Sequence, residues 1–92
     1  MKKYTLITGA SQGMGKQMAV ECAMRGRNVL LVSLPNENLE NIADNIAKEY
    51  NIETDYFECD LTLIKSAENI YNWTKNNNYA VDFLINNAGF GG

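Results

Sequence analysis

The sequence predicts an α/β protein in which helices cover both faces of a doubly wound parallel sheet, giving three layers. Short apolar runs that are typical of strands alternate with stretches whose apolar residues repeat at helical spacing. The connections between them are short, and a glycine-rich turn follows the first apolar run. This βαβαβαβ pattern predicts right-handed crossovers and the strand order 3-2-1-4.

Composition indicates one small globular domain and excludes several classes of partner. The 92 residues are 46% hydrophobic and 21% charged, with a formal charge of -3. Basic residues are scattered, so neither nucleic acid nor a membrane surface is expected to bind. The sequence has no apolar run near the ~18 residues of a membrane span and no signal-peptide pattern, which predicts a cytoplasmic protein. Cys22 and Cys59 lack zinc-site spacing, so we expect free thiols and no metal site.

The first half of the chain predicts two strands and two helices. A strand over residues 4–8 precedes a helix over 13–25, and a continuous apolar run at 28–33 predicts a second strand that is buried on both faces. Pro35 and Asn36 predict the start of the second helix. The first helix is expected to bury Met14, Met18, Ala19, Cys22 and Ala23, and the second Leu39, Ile42, Ala43, Ile46, Ala47 and Tyr50.

The second half predicts a short strand over 53–58, a third helix and a fourth strand over 81–85. Thr62 is the predicted N-cap of the third helix, and the polar run at 76–78 is expected to end it. Trp73 is expected to cover the sheet. The buried face of the third helix is predicted to hold Ile64, Ala67, Ile70, Tyr71 and Thr74.

The turn at residues 8–15, Thr-Gly-Ala-Ser-Gln-Gly-Met-Gly, predicts an anion site. Glycines are required where a Cβ would block a positive φ or the approach of a ligand to the main chain. The N–H groups at the start of the following helix favour an anion, and Ser11 adds a hydroxyl donor. A phosphate loop of the G-x-x-x-x-G-K-S/T type is excluded, because Ala10 replaces its first glycine and Gln17 follows Lys16.

Ligands of such sheets bind beyond the carboxyl ends of the strands, where the strand order reverses. Here that point lies between the first and fourth strands. The glycine turn, Ser33, Asp60 and the Asn-Asn-Ala-Gly loop at 86–89 all leave the sheet at this edge. We therefore expect these four segments to line one crevice.

With its glycine turn, Asp60-Leu61 and the Asn-Asn-Ala-Gly loop, the sequence resembles the short-chain dehydrogenase/reductase family over essentially its whole length. The resemblance implies a Rossmann-type domain that binds a nicotinamide dinucleotide. In the family the turn holds the adenosine ribose and pyrophosphate, the aspartate contacts adenine, and the Asn-Asn-Ala-Gly loop flanks the other ribose and braces the central strand. It thereby implies cofactor contacts for Gly9, Ser11, Gln12, Gly13, Met14, Gly15, Asp60, Leu61, Asn87, Ala88 and Gly89.

Each of these residues also has a structural interpretation. Asp60 could cap the turn into the third helix, and Asn86 and Asn87 could be ordinary turn residues. The stripe containing Met14, Met18 and Cys22 is interpreted as core packing. The charged residues Glu37, Glu40, Asp44, Lys48 and Glu49 are interpreted as a solvated helix face.

The choice between NAD and NADP as the cofactor depends on the residues at the end of the second strand. A carboxylate there would bind the ribose 2′-hydroxyl, whereas an arginine would accept a 2′-phosphate. Ser33 and Leu34 supply neither, and Gln12 replaces the basic residue frequent in the family's turn. The sequence therefore favours NADP, to which Ser33 can donate, with NAD as the alternative.

The family's catalytic serine and Tyr-x-x-x-Lys pair cannot be mapped onto this chain. Tyr71 and Lys75 have the right spacing, but they precede the fourth strand on a crossover helix that leads away from the crevice. We therefore expect the dinucleotide-binding part of a short-chain oxidoreductase, cut after the fourth strand and inactive alone. The intact parent would transfer a hydride between NAD(P)(H) and an alcohol or ketone.

Two other functions remain open. One is a dinucleotide-binding regulator or scaffold without catalysis. The other is a methyltransferase with an adenosyl cofactor, which is disfavoured because nothing in it requires the Asn-Asn-Ala-Gly loop. For any of them, a cut after the fourth strand would expose residues 83–85, so we expect a homo-oligomer or other association through that strand.

Overall fold

The computed structural model describes residues 2–87, in which four strands alternate with three helices. All strand pairs are parallel and the order is β3-β2-β1-β4, which confirms the predicted sheet. The elements are β1 (Lys3–Thr8), α1 (Gly13–Met24), β2 (Asn28–Ser33), α2 (Leu39–Tyr50), β3 (Thr54–Glu58), α3 (Ser66–Asn76) and β4 (Ala80–Asn86).

The two faces of the sheet carry separate apolar clusters. Helices α1 and α2 cover one face, and α3 covers the other, so the three predicted layers are present. Ile7, Val29 and Leu31 point to the first cluster, whereas Leu6 and Leu30 point to the second. This alternation follows from the pleat, because successive strand residues face opposite sides. Strand β2 is therefore buried on both faces, as its apolar run predicts.

The register brings the strand ends to one edge. Thr8 at the end of β1 is level with Val32 in β2 and with Asn86 at the end of β4. Because all four strands are parallel, the loops that follow them leave the sheet on the same side. The site expected at this edge is positioned by β1, the central strand.

Helix α2 begins later than Pro35 predicts. Residues 35–38 form a turn in which Asn36 and Asn38 have φ values of 67° and 62°, in the left-handed region. Asparagine tolerates that conformation better than most residues. The helix therefore begins at Leu39, after its N-cap Asn38.

The predicted N-cap and part of the predicted buried face of α3 are wrong. The Thr62 hydroxyl and N–H both bond to Asp60, in a turn that precedes the helix. Helix α3 begins at Ser66, so Ile64 lies outside it and is 99% exposed. Within α3 the buried residues are Ser66, Ile70 and Thr74, whereas Ala67 and Tyr71 are exposed. Trp73 covers the sheet as expected, with its ring stacked 5.0 Å from that of Phe57.

The predicted core role of Met14 is also wrong, because its side chain is 68% exposed. Met14 lies in the first turn of α1 beside the buried Gly15. The buried residues of this helix are Gly15, Ala19, Cys22 and Ala23.

Strand β4 is the least covered strand of the sheet. Phe83 and Leu84 lie on opposite faces and are 56% and 57% exposed. On the Leu84 side an open groove of about 410 Å³ runs between β4 and α3. Across residues 2–87 no helix is both long and apolar enough to cross a bilayer.

Candidate functional site

A cavity of about 390 Å³ lies beyond the carboxyl ends of the strands, within the size range of small-molecule sites. Seven residues proposed from the sequence line it, drawn from all four expected segments: Gly9, Ser11, Gln12, Ser33, Asp60, Leu61 and Asn87. Four further residues complete the described wall: Leu34, Glu37, Cys59 and Thr62. Gly13, Met14 and Gly15 belong to α1 beside the cavity, and Ala88 and Gly89 lie outside the described residues.

The glycine turn is held against β2 and curves back over the start of α1. Gly9 has a φ of 64°, a conformation that favours glycine. The next N–H, of Ala10, donates to the Val32 carbonyl at 3.1 Å. A Cβ on Gly15 would lie 1.9 Å from the Gly9 carbonyl oxygen and 2.8 Å from Nδ2 of Asn87. The turn, the helix and the β4 loop therefore meet at a point that has no room for a side chain.

The start of α1 offers main-chain donors to this edge. Its N-cap, Gln12, is extended and makes no side-chain capping bond, and the first turn contains no acidic residue. The first N–H groups of a helix lack intrahelical acceptors, and the helix dipole favours an anion there. Main-chain amides beside a glycine-rich turn fit a pyrophosphate, which needs close approach to the main chain.

Thr8 joins the ends of β1 and β4. Its hydroxyl donates to Oδ1 of Asn86 at 2.8 Å and accepts from the Asn87 N–H at 3.0 Å. These bonds fix the start of the Asn-Asn-Ala-Gly segment against the central strand. Asn87 is half-buried and lines the cavity.

Asp60 both caps a turn and faces the cavity. Its Oδ1 accepts from the Thr62 hydroxyl at 2.6 Å and from the Thr62 N–H at 2.9 Å. These two bonds, the hydroxyl first, hold the pKa of the Asp60 carboxyl below its usual range. Among residues 2–87 its other oxygen, Oδ2, has no hydrogen-bond donor, so it can accept from a ligand. The capping and ligand-binding interpretations of Asp60 are compatible.

A main-chain hydrogen bond between Ser33 and Cys59 joins the ends of β2 and β3 at the cavity wall. Ser33 is buried, its carbonyl accepts from the Cys59 N–H at 2.9 Å, and its hydroxyl donates to the Leu34 carbonyl at 3.0 Å. Burial, and secondarily the charge of Asp60, raises the pKa of the Cys59 thiol, which keeps it protonated at neutral pH. Cys59 therefore packs as an apolar wall residue, and both cysteines are free.

Sequence reasoning missed Glu37. It lies in the turn before α2 rather than on the solvated helix face, is half-buried, and lines the cavity. The Ser11 hydroxyl donates to its Oε1, which joins the glycine turn to the β2–α2 loop. The sequence signal that was available is the residue types Pro35, Asn36 and Asn38 around Glu37, which favour turns.

Tyr71 and Lys75 do not line the cavity. They lie on α3, where the ammonium of Lys75 contacts the Tyr71 hydroxyl at 3.4 Å and lies 5.6 Å from its ring centroid. Both side chains are exposed, so Tyr71 is not the helix-packing residue that the sequence predicts. The hydrogen bond and ring contact described for Tyr71 and Lys75 join them only to each other, and not to a residue that lines the cavity.

Residues 3–92 match the family model for short chain dehydrogenase. The very-long-chain 3-oxoacyl-CoA reductase of Vanderwaltozyma polyspora is 35% identical over 88 residues, which cover 94% of this chain and 25% of that protein. The human inactive hydroxysteroid dehydrogenase-like protein 1 is 35% identical over 89 residues, covering 95% of this chain and 26% of that protein. The chain therefore spans about a quarter of the length of these curated relatives.

A solved structure gives the same fold with a cofactor bound. A short-chain dehydrogenase from Sphingobium yanoikuyae, in complex with NADPH, superposes with a TM-score of 0.83 and is 30% identical. The match covers 96% of this chain and 34% of that one.

Proposed function

Because this chain belongs to the short-chain dehydrogenase family, we propose that it forms the NAD(P)-binding portion of an oxidoreductase. The observation that carries the proposal is the cavity at the carboxyl edge of the sheet, where the glycine turn, Asp60 and Asn87 meet. The NADPH bound to the Sphingobium relative supports a dinucleotide as the ligand.

Different residues of the cavity bind different parts of the dinucleotide. The amides at the start of α1 hold the pyrophosphate, beside the point where Gly15 lies against the Gly9 carbonyl with no room for a side chain. Asp60 accepts from the adenine amine through Oδ2, since Thr62 occupies only Oδ1. Asn87, anchored by Thr8, lies on the nicotinamide side of the site. Ala88 and Gly89 stay predicted contacts.

For the whole protein we propose hydride transfer between NAD(P)(H) and a small-molecule alcohol or ketone. The Vanderwaltozyma polyspora relative, named as a very-long-chain 3-oxoacyl-CoA reductase, supports a carbonyl compound as the substrate class. The dinucleotide supplies or accepts the hydride when bound, and this chain positions it. The exposed Tyr71 and Lys75 take no part.

A non-catalytic dinucleotide-binding module is the second candidate. It is favoured by the 35% identity to a human relative that is named as inactive. The gene sequence after the Gly92 codon separates the two candidates. A serine followed by Tyr-x-x-x-Lys in frame indicates an enzyme, and their absence indicates a binding module. The intact mass of the purified protein then shows which polypeptide the cell makes.

We further propose that the protein associates through β4, either with another copy or with further polypeptide. Phe83 and Leu84 are more than half exposed, and an uncovered parallel strand leaves main-chain groups ready to pair. A monodisperse monomer by light scattering at high concentration would argue against association between copies. A cytoplasmic location stays a prediction, which cell fractionation tests.

Titration of the purified protein with NADH and NADPH tests the proposed function directly. We expect saturable binding of at least one of them, and competition by ADP-ribose, which carries the adenosine and pyrophosphate but no nicotinamide. Failure of both dinucleotides to bind a folded sample would contradict the proposal.

A further inference from the structure

We propose that Glu37 makes this site selective for NAD(H) over NADP(H). Its carboxylate would accept a hydrogen bond from the 2′-hydroxyl of the adenosine ribose and would repel a 2′-phosphate. The inference rests on the proposed function and deepens it by choosing between the two dinucleotides. It reverses the preference drawn from the sequence, whose premise was that nothing near the end of the second strand repels a phosphate.

The β2–α2 loop presents Glu37 to the cavity. Asn36 and Asn38, on either side, both have left-handed backbone conformations that turn the chain sharply. The side chain of Asn41 donates to Oδ1 of Asn38 at 2.7 Å, which fastens the loop to the first turn of α2. Glu37 is consequently half-buried in the cavity wall, while Glu40, three residues further, is exposed on the helix.

The contacts of Glu37 leave it able to bind a ribose. The Ser11 hydroxyl donates to Oε1, and no other donor in the described part of the chain reaches the carboxylate. Oε2 is therefore available as an acceptor. Glu37 follows the glycine turn by about 20 residues, the separation at which an acidic residue bonds the ribose 2′-hydroxyl in dinucleotide-binding domains. Its contact with Ser11 brings it back to the turn proposed to hold that ribose.

The charge of the cavity opposes a 2′-phosphate. Its described wall contains two carboxylates, Glu37 and Asp60, and no lysine or arginine. A phosphate monoester would add about two negative charges beside them. Sites that accept the 2′-phosphate place an arginine nearby, whereas here the neutral donors are Gln12 and Ser33. The Ser33 hydroxyl already donates to the Leu34 carbonyl, so it is a poor replacement for a cation.

The test compares ligands that differ only in the 2′-phosphate. The probes are AMP against adenosine 2′,5′-bisphosphate, and NADH against NADPH, titrated calorimetrically into the purified protein at low salt. We expect the ligands without the 2′-phosphate to bind at least about tenfold more tightly. Glu37→Gln should reduce that ratio to about threefold or less, chiefly by strengthening binding of the phosphorylated ligands. Because charge repulsion is screened by ions, the wild-type ratio should also shrink as salt increases.

Glu40→Gln is the matched control, since it removes the same charge from the same region but outside the cavity wall. It should leave the wild-type ratio unchanged. Equal binding of the two ligands, tighter binding of NADPH, or an unchanged ratio in a folded Glu37→Gln variant would each overturn the selectivity while leaving the proposed function intact. If no dinucleotide binds, the proposed function fails and this inference fails with it.

Discussion

Replacing Gly15 with alanine tests how tightly the glycine turn, the start of α1 and the β4 loop pack together. The added Cβ would lie 1.9 Å from the carbonyl oxygen of Gly9 and 2.7 Å from its carbonyl carbon. Contacts under 3.0 Å are essentially never observed for a Cβ, so the Gly9 carbonyl must retreat by about 1.1 Å. Because the obstacle is backbone, a side-chain rotation cannot relieve the clash.

The expected loss of stability is the balance of two effects. Overpacking a tight site costs about 1–3 kcal/mol, and a backbone clash of this severity belongs at the upper end. Alanine offsets about 1 kcal/mol of this by its better helix propensity. We therefore expect Gly15→Ala to lower the free energy of unfolding by about 2 kcal/mol. Because Gly9 lines the cavity, its displacement should also weaken NADH binding by about tenfold or more, equivalent to at least about 1.4 kcal/mol.

Gly26→Ala is the control for this substitution. Gly26 has a φ of 78° and nothing within 4 Å of an added Cβ, so alanine there costs only the left-handed backbone, about 1–2 kcal/mol. It lies at the far end of α1. Urea unfolding should show similar losses for both variants, whereas calorimetry should show weakened NADH binding only for Gly15→Ala. If Gly15→Ala bound NADH and resisted urea as well as the wild-type protein, the inference that the turn, α1 and the β4 loop leave no room for a side chain would be wrong.

Three further substitutions test other parts of the structure. Burial, together with the hydrogen bond to Asp55, raises the pKa of the Tyr79 hydroxyl above its usual 10.0, so the folded state holds this proton more firmly than the unfolded state. Stability from this group is present below about pH 10 and is lost as the pH rises further, so Tyr79→Phe should flatten the alkaline fall in unfolding free energy; an unchanged slope would contradict this. Leu84→Lys places a charge on the exposed face of β4 and should reduce the mass measured by light scattering, and an unchanged mass would show that this face does not associate. Tyr71→Phe should change dinucleotide affinity and any reductase activity less than twofold, whereas a loss of tenfold or more would give this exposed residue a role in the site.

The sheet was predictable from sequence because its signals are local and mutually consistent. The continuous apolar run of β2 favours a strand that is buried on both faces, and the alternation with helices then favours a parallel sheet. The positions of Gly9, Ser33, Asp60 and Asn87 around one cavity follow from that topology, because each lies just beyond the end of a strand.

The helix starts were less predictable because turn geometry decides them. Pro35 fits the first turn of a helix as well as it fits a loop, and only the left-handed Asn36 and Asn38 delay α2 to Leu39. Thr62 has the chemistry of an N-cap, but it lies in the turn that Asp60 caps, and α3 begins only at Ser66. These competing local hydrogen bonds are not visible in a periodic pattern.

The contact of Glu37 with Ser11 runs across the fold, and the helical periodicity of the charged residues does not reveal it. If the helical periodicity of α2 is extended back to position 37, Glu37 falls on the same charged face as Glu40 and Asp44. The turn before α2 instead directs it to Ser11, 26 positions earlier in the chain. The exposure of Tyr71 has a similar origin, since it faces a groove beside β4 that the described residues leave open.

Amide chemical shifts followed during titration with NADH show whether a nicotinamide dinucleotide binds at the carboxyl edge of this sheet. We expect saturable shifts at the amides of residues 9–15 and 59–62, which surround the cavity, and little change at Tyr71 and Lys75. The absence of shifts in a folded sample, or shifts confined to the groove between α3 and β4, would contradict it.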